Sequence, residues 1–164
     1  MALYIFDASA LVKYYIREPG STWVRQIIDA PGSHFVFISE VSLTECAAAF
    51  AALHRTGRIS RRAQEGAFRL LMSHIASGVL ETIPMLSADY HAAARLTQKH
   101  PLKAYDAIQL AVALRHSRAL SAGELASVFV SGDDALLAAA QTDGLTTDNP
   151  FDHVQPEDTA RTGP

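Results

Sequence analysis

A single α/β domain, with a mostly parallel sheet covered by helices on both faces, is the fold class that this sequence predicts. Three observations lead to it. Short apolar runs of strand length alternate with longer stretches of helical periodicity along nearly the whole chain. Twice, at Ile5-Phe6-Asp7 and at Val130-Ser131-Gly132-Asp133, such a run gives way to an acid and then to a helical pattern. With 164 residues, 49% of them hydrophobic and 19% charged, the chain has the balance of one globular core.

Leu3 to Phe6 are the first predicted strand, and Ser9 is placed to cap a helix carrying Leu11, Val12, Tyr15 and Ile16. Glu18-Pro19-Gly20-Ser21 stops that helix and starts a second, with Trp23, Val24, Ile27 and Ile28 as its apolar stripe; Pro31-Gly32 ends it. His34 to Ile38 read as a strand, and Ser39 caps the helix that contains Glu45. Gly57 breaks this helix, and Ser60 to Ala76 form another, with Ala67, Leu70, Leu71 and Ile75 inward, giving a helical hairpin. Leu80 to Ile83 are a third strand, and Ser87 opens a helix that Lys99-His100-Pro101 ends. Between Ala104 and Leu114 the chain is apolar on nearly every side apart from Asp106 and Gln109, the pattern of a buried central helix. Val128 to Val130 make a fourth strand, Leu136, Leu137 and the alanines after them a helix, and Leu145 to Thr147 a short fifth strand. The folded domain is expected over residues 1–154, with 155–164 a flexible tail.

The net charge of −3 provides no global positive field, so any contact with phosphates must come from local clusters or metal ions. Cys46 is the single cysteine, which rules out an intrachain disulfide and a cysteine-based zinc site and fits a reducing cytoplasm. No stretch approaches the ~18 apolar residues of a membrane span, and the N-terminal apolar run is broken by Asp7, so a soluble, unexported protein is expected.

Four acids stand out by position. Asp7 and Asp133 follow strands, where ligands bind in open α/β sheets, although Asp7 equally suits a helix cap. Glu45 shares its helix face with Val41, Ala48, Ala49 and Ala52, and Asp106 lies in the first turn of the buried helix. If the four converge, like-charge repulsion calls for a cation between them, and an all-oxygen set suits Mg2+ or Mn2+ rather than zinc.

In order and spacing, these residues resemble the PIN-domain ribonucleases, specifically the VapC-type toxins of toxin–antitoxin pairs. The likeness runs from about Leu3 to Pro150. It rests on Phe6-Asp7-Ala8-Ser9-Ala10-Leu11-Val12-Lys13, on Leu43-Thr44-Glu45-Cys46-Ala47, on Tyr105-Asp106-Ala107-Ile108-Gln109-Leu110-Ala111, and on Ser131-Gly132-Asp133 leading to Leu136 and Ala139. The family commonly shows Thr where this chain has Ser131. The resemblance implies a five-stranded parallel sheet in a three-layer fold, a metal site of Asp7, Glu45, Asp106 and Asp133, and RNA cleavage by metal-activated water. It also implies an antitoxin partner and a homodimer. Tyr14, Tyr15, Trp23, Phe50 and Phe68 are large groups that either complete the core or form the interface.

Several residues keep two readings. Ser9 and Ser131 either orient ligands or cap helices, Lys13 either reaches a phosphate or is solvated, and Asp134 is a rival to Asp133 that reads as a helix-start charge. Arg55, Arg58, Arg61 and Arg62 are a solvated face or an RNA track. The seven histidines lack a His-x-x-x-His pair, and Cys46 has no basic neighbour in sequence, so packing is their default. A phosphatase forming an aspartyl-phosphate would need an acid two residues after Asp7, where Ser9 stands. A catalytically idle interaction protein would have little reason to keep four such acids.

Overall fold

The computed structural model describes residues 2–30 and 32–159. Five parallel strands, β1 (Ala2–Phe6), β2 (His34–Ser39), β3 (Glu81–Ile83), β4 (Ser127–Val130) and β5 (Thr146–Asp148), form one sheet in the order β3-β2-β1-β4-β5. Between and after them run α1 (Ala8–Tyr15), α2 (Ser21–Ile28), α3 (Glu40–Arg55), α4 (Arg61–Ala76), α5 (Ser87–Lys99), α6 (Ala104–Ala122), α7 (Asp134–Thr142) and α8 (Pro156–Thr159).

Alternation along the strands splits the interior into two cores. Tyr4 and Phe6, Val36 and Ile38, and Val128 and Val130 face the layer of α1 to α4. Ile5, Phe37 and Phe129, which are in register across three strands, face α5 to α7. The stretch of helix α6 up to Leu114 is packed between the sheet and its helical neighbours, which explains why that stretch is so apolar: Ala107, Gln109 and the run Leu110 to Leu114 are all buried. The α3–α4 hairpin closes on Cys46, Phe50, Ala67 and Leu71. Leu70, expected inward, is 43% exposed, because α4 offers its neighbours a narrow seam rather than a broad face. Of the large aromatic groups, Phe50 is fully buried, Tyr14, Tyr15 and Trp23 pack against the core, and Phe68 is exposed.

Helix starts differ from expectation by a residue or two. Asp7, not Ser9, caps α1, and Gly20 rather than Ser21 precedes α2, whereas α5 opens at Ser87 as expected. Ser39 caps α3 as expected, and Ser60, expected as the first residue of its helix, instead caps α4.

The chain beyond 154 also departs from the expected flexible tail. Asp158 is buried and accepts hydrogen bonds from the backbone N–H of Gly20 (3.0 Å), Thr22 (2.8 Å) and Gln155 (3.0 Å), and from the Thr22 hydroxyl (2.7 Å). One carboxylate thus fastens α8 to the start of α2, an anchor that no apolar run announces. Gly20 belongs to the same join: its φ is +88°, and a Cβ there would sit 2.4 Å from the Pro150 carbonyl oxygen. The expected tail residues 160–164, and Pro31 of the expected helix stop, lie outside the described residues.

Candidate active site

In the order β3-β2-β1-β4-β5 the chain moves outward from β1 through β2 to β3, then returns to β4 on the other side of β1 and goes on outward to β5, so the crevice between β1 and β4 is the sheet's switch point. Asp7 leaves the carboxyl end of β1 there, and its N–H donates to the Val130 carbonyl at 3.0 Å, joining the two strand ends. Its backbone is extended before α1 begins, which lets the carboxylate turn back and accept from the Ala10 N–H at 2.9 Å.

Two hydroxyls fix the carboxylate further. Ser9 Oγ donates to Asp7 Oδ1 (2.8 Å) while accepting from the Gly132 N–H (2.8 Å). Ser131 Oγ donates to Asp7 Oδ2 (2.8 Å) while accepting from the Asp133 N–H (3.0 Å). Neither serine caps a helix: each ties Asp7 to the loop after β4. Asp133 follows in that loop, half-buried, and caps α7 by accepting from the Leu136 N–H at 2.9 Å. Asp134 is exposed and accepts from the Asn149 side chain at 3.1 Å.

Glu45 arrives on the second turn of α3, and Asp106 on the first turn of α6. Asp7 is 3% exposed, and burial pushes its carboxyl up to about 6 against the pull of its hydrogen bonds, with Asp106 adding to the rise. Burial, then Asp7 and Asp106, push Glu45 to about 7. Burial and Asp133 raise Asp106. Repulsion thus links the four acids in a chain, Glu45 to Asp7 to Asp106 to Asp133, with Lys103 offsetting part of the rise at Asp106. Among the described residues none of them forms an ion pair with a lysine, arginine or histidine. No three His, Cys, Asp or Glu side chains among those residues stand within coordinating distance of a common point. An oxygen-only set of mutually repelling carboxylates, none ion-paired among the described residues, fits a hard divalent cation.

Gln109 is the residue whose part sequence patterning did not reveal. Buried in α6, it accepts through Oε1 from the Ala8 N–H (3.1 Å) and the Ser42 hydroxyl (2.9 Å), and it donates through Nε2 to Glu45. It holds three elements in register around the acids. Its one signal was to be a polar residue in an otherwise apolar helix.

Lys13 is not a solvated lysine: it is 2% exposed, with Nζ 3.5 Å from Glu18 Oε2 and 3.8 Å from the centre of the Phe151 ring. It lines a cleft of about 370 Å³ beside the acids, together with Ser9, Glu18, Glu45, Gly132 and Phe151. Gly132 lets these groups close up, since a Cβ there would stand 3.2 Å from the Phe151 ring and 3.4 Å from Ser9 Oγ. Arg55, Arg58, Arg61 and Arg62 are exposed at the hairpin, where Arg61 pairs with Glu65. Cys46 is fully buried and its thiol is pushed up by burial, then by Asp7 and Glu45, which leaves it unreactive.

A family profile described as PIN domain matches residues 4–141. No curated protein matches the sequence. Among solved structures, the fold is similar to PAE2754 from Pyrobaculum aerophilum, with a TM-score of 0.58 at 20% identity over 89% of each chain. It is also similar to VapBC2 from Rickettsia felis bound to a promoter DNA fragment, with a TM-score of 0.60 at 11% identity over 90% of this chain and 98% of the other. A toxin-antitoxin complex from Klebsiella pneumoniae gives a TM-score of 0.53 at 18% identity over 92% and 98%.

Proposed function

The chain belongs to the PIN-domain family, and on that basis we propose that it is a VapC-type toxin, an endoribonuclease that hydrolyses RNA phosphodiester bonds with Mg2+ or Mn2+. The observation that carries this reading is the mutual repulsion linking Asp7, Glu45, Asp106 and Asp133, none of which forms an ion pair among the described residues, with Asp7 at the switch point of a parallel sheet. Asp7, Glu45, Asp106 and Asp133 would hold the ion. When bound, such an ion neutralises phosphate oxygens and acidifies water.

The chain's own groups do the positioning. Ser9 and Ser131 fix both oxygens of Asp7, so its carboxylate is oriented before any ligand arrives. Gln109 sets Glu45 in the same way from α6. Lys13, held by Glu18 and Phe151 at the cleft wall, places one positive charge near the path of a phosphate. Ser9 at the second position after Asp7 gives no general acid, which disfavours an aspartyl-phosphate route.

Two of the structures with a similar fold are described as VapBC2 and as a toxin-antitoxin complex, which supports an antitoxin partner here. An arginine from that partner would meet Glu45 in the cleft, where charge-assisted hydrogen bonds are strong. A homodimer is expected as well, and a monomer by light scattering at micromolar concentration would refute it. No helix of the described residues is long and apolar enough to cross a membrane, and a cytoplasmic location is part of the proposal.

The test is cleavage of a panel of structured RNAs in Mg2+, in Mn2+ and in chelator, by the wild-type chain and by Asp7→Asn. Metal-dependent cutting that the variant lacks is expected. Cutting that survives in the variant or in chelator would refute the mechanism.

A further inference from the structure

Away from the acids, α5 and α6 lie side by side with a groove of about 370 Å³ along their seam. Arg95 and Lys99 are four apart on α5, and Arg115 and Arg118 three apart on α6, so each pair shares one helix face. All four line the groove, over a floor that includes the small residues Ala92 and Ala111.

Two carboxylates also line it, and both are engaged. Asp89, 2% exposed, takes the Arg115 guanidinium in two hydrogen bonds of 2.8 and 3.0 Å, and Arg115 also donates to the Pro84 carbonyl at 2.7 Å. Asp143 takes Lys99 and, at 2.7 Å, His100. Arg95 and Arg118 are exposed, and neither forms an ion pair among the described residues. Two locked cations and two free ones therefore face one channel in a protein whose net charge is −3. By contrast, the hairpin arginines line none of the clefts described.

We propose that the α5–α6 groove binds the phosphodiester backbone of RNA, with Arg95 and Arg118 as the phosphate contacts. The proposal rests on the ribonuclease reading for its ligand. The same helix carries both sites: Arg118 is twelve residues beyond Asp106 on α6, a rise of about 18 Å at 1.5 Å per residue. A strand cut at the acids would have to run on for several nucleotides to reach the groove. The acids repel a polyanion, and a cationic channel at that distance supplies the attraction they lack.

The experiment measures binding without catalysis. Anisotropy of a labelled single-stranded RNA of about 20 nucleotides is followed in chelator between about 50 and 200 mM salt, the range over which counterion release governs affinity. The wild type is compared with Arg95→Gln/Arg118→Gln and with the control Arg58→Gln/Arg62→Gln, each checked for an unchanged thermal melt. At about 0.7 per single-stranded phosphate contact, the slope of log K against log salt should become shallower by about 1.4 in the groove variant and stay unchanged in the control. Cleavage of a trinucleotide in Mg2+, too short to span both sites, should match the wild type. An unchanged slope in the groove variant, or an equal loss in the control, overturns the proposal. Competition by an acidic peptide as strong as that by RNA would also overturn it. Failure of the wild type to cut any RNA would remove the nuclease reading while the chelator measurement still decided the groove.

Discussion

Replacing Asp7 by Asn should make the metal-free protein more stable at neutral pH and less able to respond to magnesium. Burial moves the Asp7 carboxyl from its ordinary 3.8 to about 6, and at 1.36 kcal/mol per pH unit the ionised, folded state carries a cost of ~3 kcal/mol. The folded pKa lies above the unfolded one, so this cost is absent below pH 3.8, grows as the pH rises, and is complete above about 6. Asparagine removes it and keeps the cap, since its carbonyl can accept from the Ala10 N–H. Against that gain, the Asn amide nitrogen is a donor where both hydroxyls now donate, at a cost of about 1–2 kcal/mol. The net gain is ~1–2 kcal/mol, and for a chain of this length that raises Tm by about 2–6 °C. Thermal melts at pH 8 and pH 4, each with and without Mg2+, test every part of this. The gain should be present at pH 8, give way to a loss of about 1 kcal/mol at pH 4 where only the Asn mismatch remains, and be reversed by Mg2+, which should stabilise the wild type alone. A lower Tm for the variant at pH 8, or a difference that ignores pH, would show that Asp7 is chiefly a structural cap.

Gln109→Leu strips the partners from a buried N–H of Ala8 and a buried hydroxyl of Ser42 and frees Glu45, so urea unfolding should show a loss of about 2–4 kcal/mol, and RNA cleavage should fall with it. Asp158→Ala should cost about 2 kcal/mol and speed amide exchange at Gly20 and Thr22, whose N–H groups it accepts from. For Asp158, burial raises the carboxyl but the hydrogen bonds from Gln155, Thr22 and Gly20 outweigh it, holding the pKa below its ordinary 3.8. Its stabilisation is therefore complete above that value and lost as the pH falls through the lowered one. In Gly132→Ala the new methyl meets the Phe151 ring at 3.2 Å, so a loss of about 1 kcal/mol is expected in urea, with a shifted Phe151 ring resonance as the local sign.

Much of this protein is determined by its sequence alone, and for a physical reason: periodicity is a local property. The alternation of Tyr4, Ile5 and Phe6 and the apolar run from Leu110 to Leu114 in α6 set which faces are buried before any neighbour is known. The acids after β1 and β4 mark the sheet edge where a site belongs. What the tertiary structure decided depends on contacts between residues far apart in the chain. Ser9 and Ser131 are 122 positions apart, yet they meet at Asp7, which turns two apparent caps into supports for one carboxylate. Gln109 reaches Ala8 across 101 positions, and Asp158 reaches Gly20 across 138. Lys13 becomes a buried group through Glu18 and Phe151, neither of which any local pattern links to it. A polar side chain carries no periodic signature of its partner, so its role is legible only when the fold has brought that partner within about 3 Å, the range of a hydrogen bond.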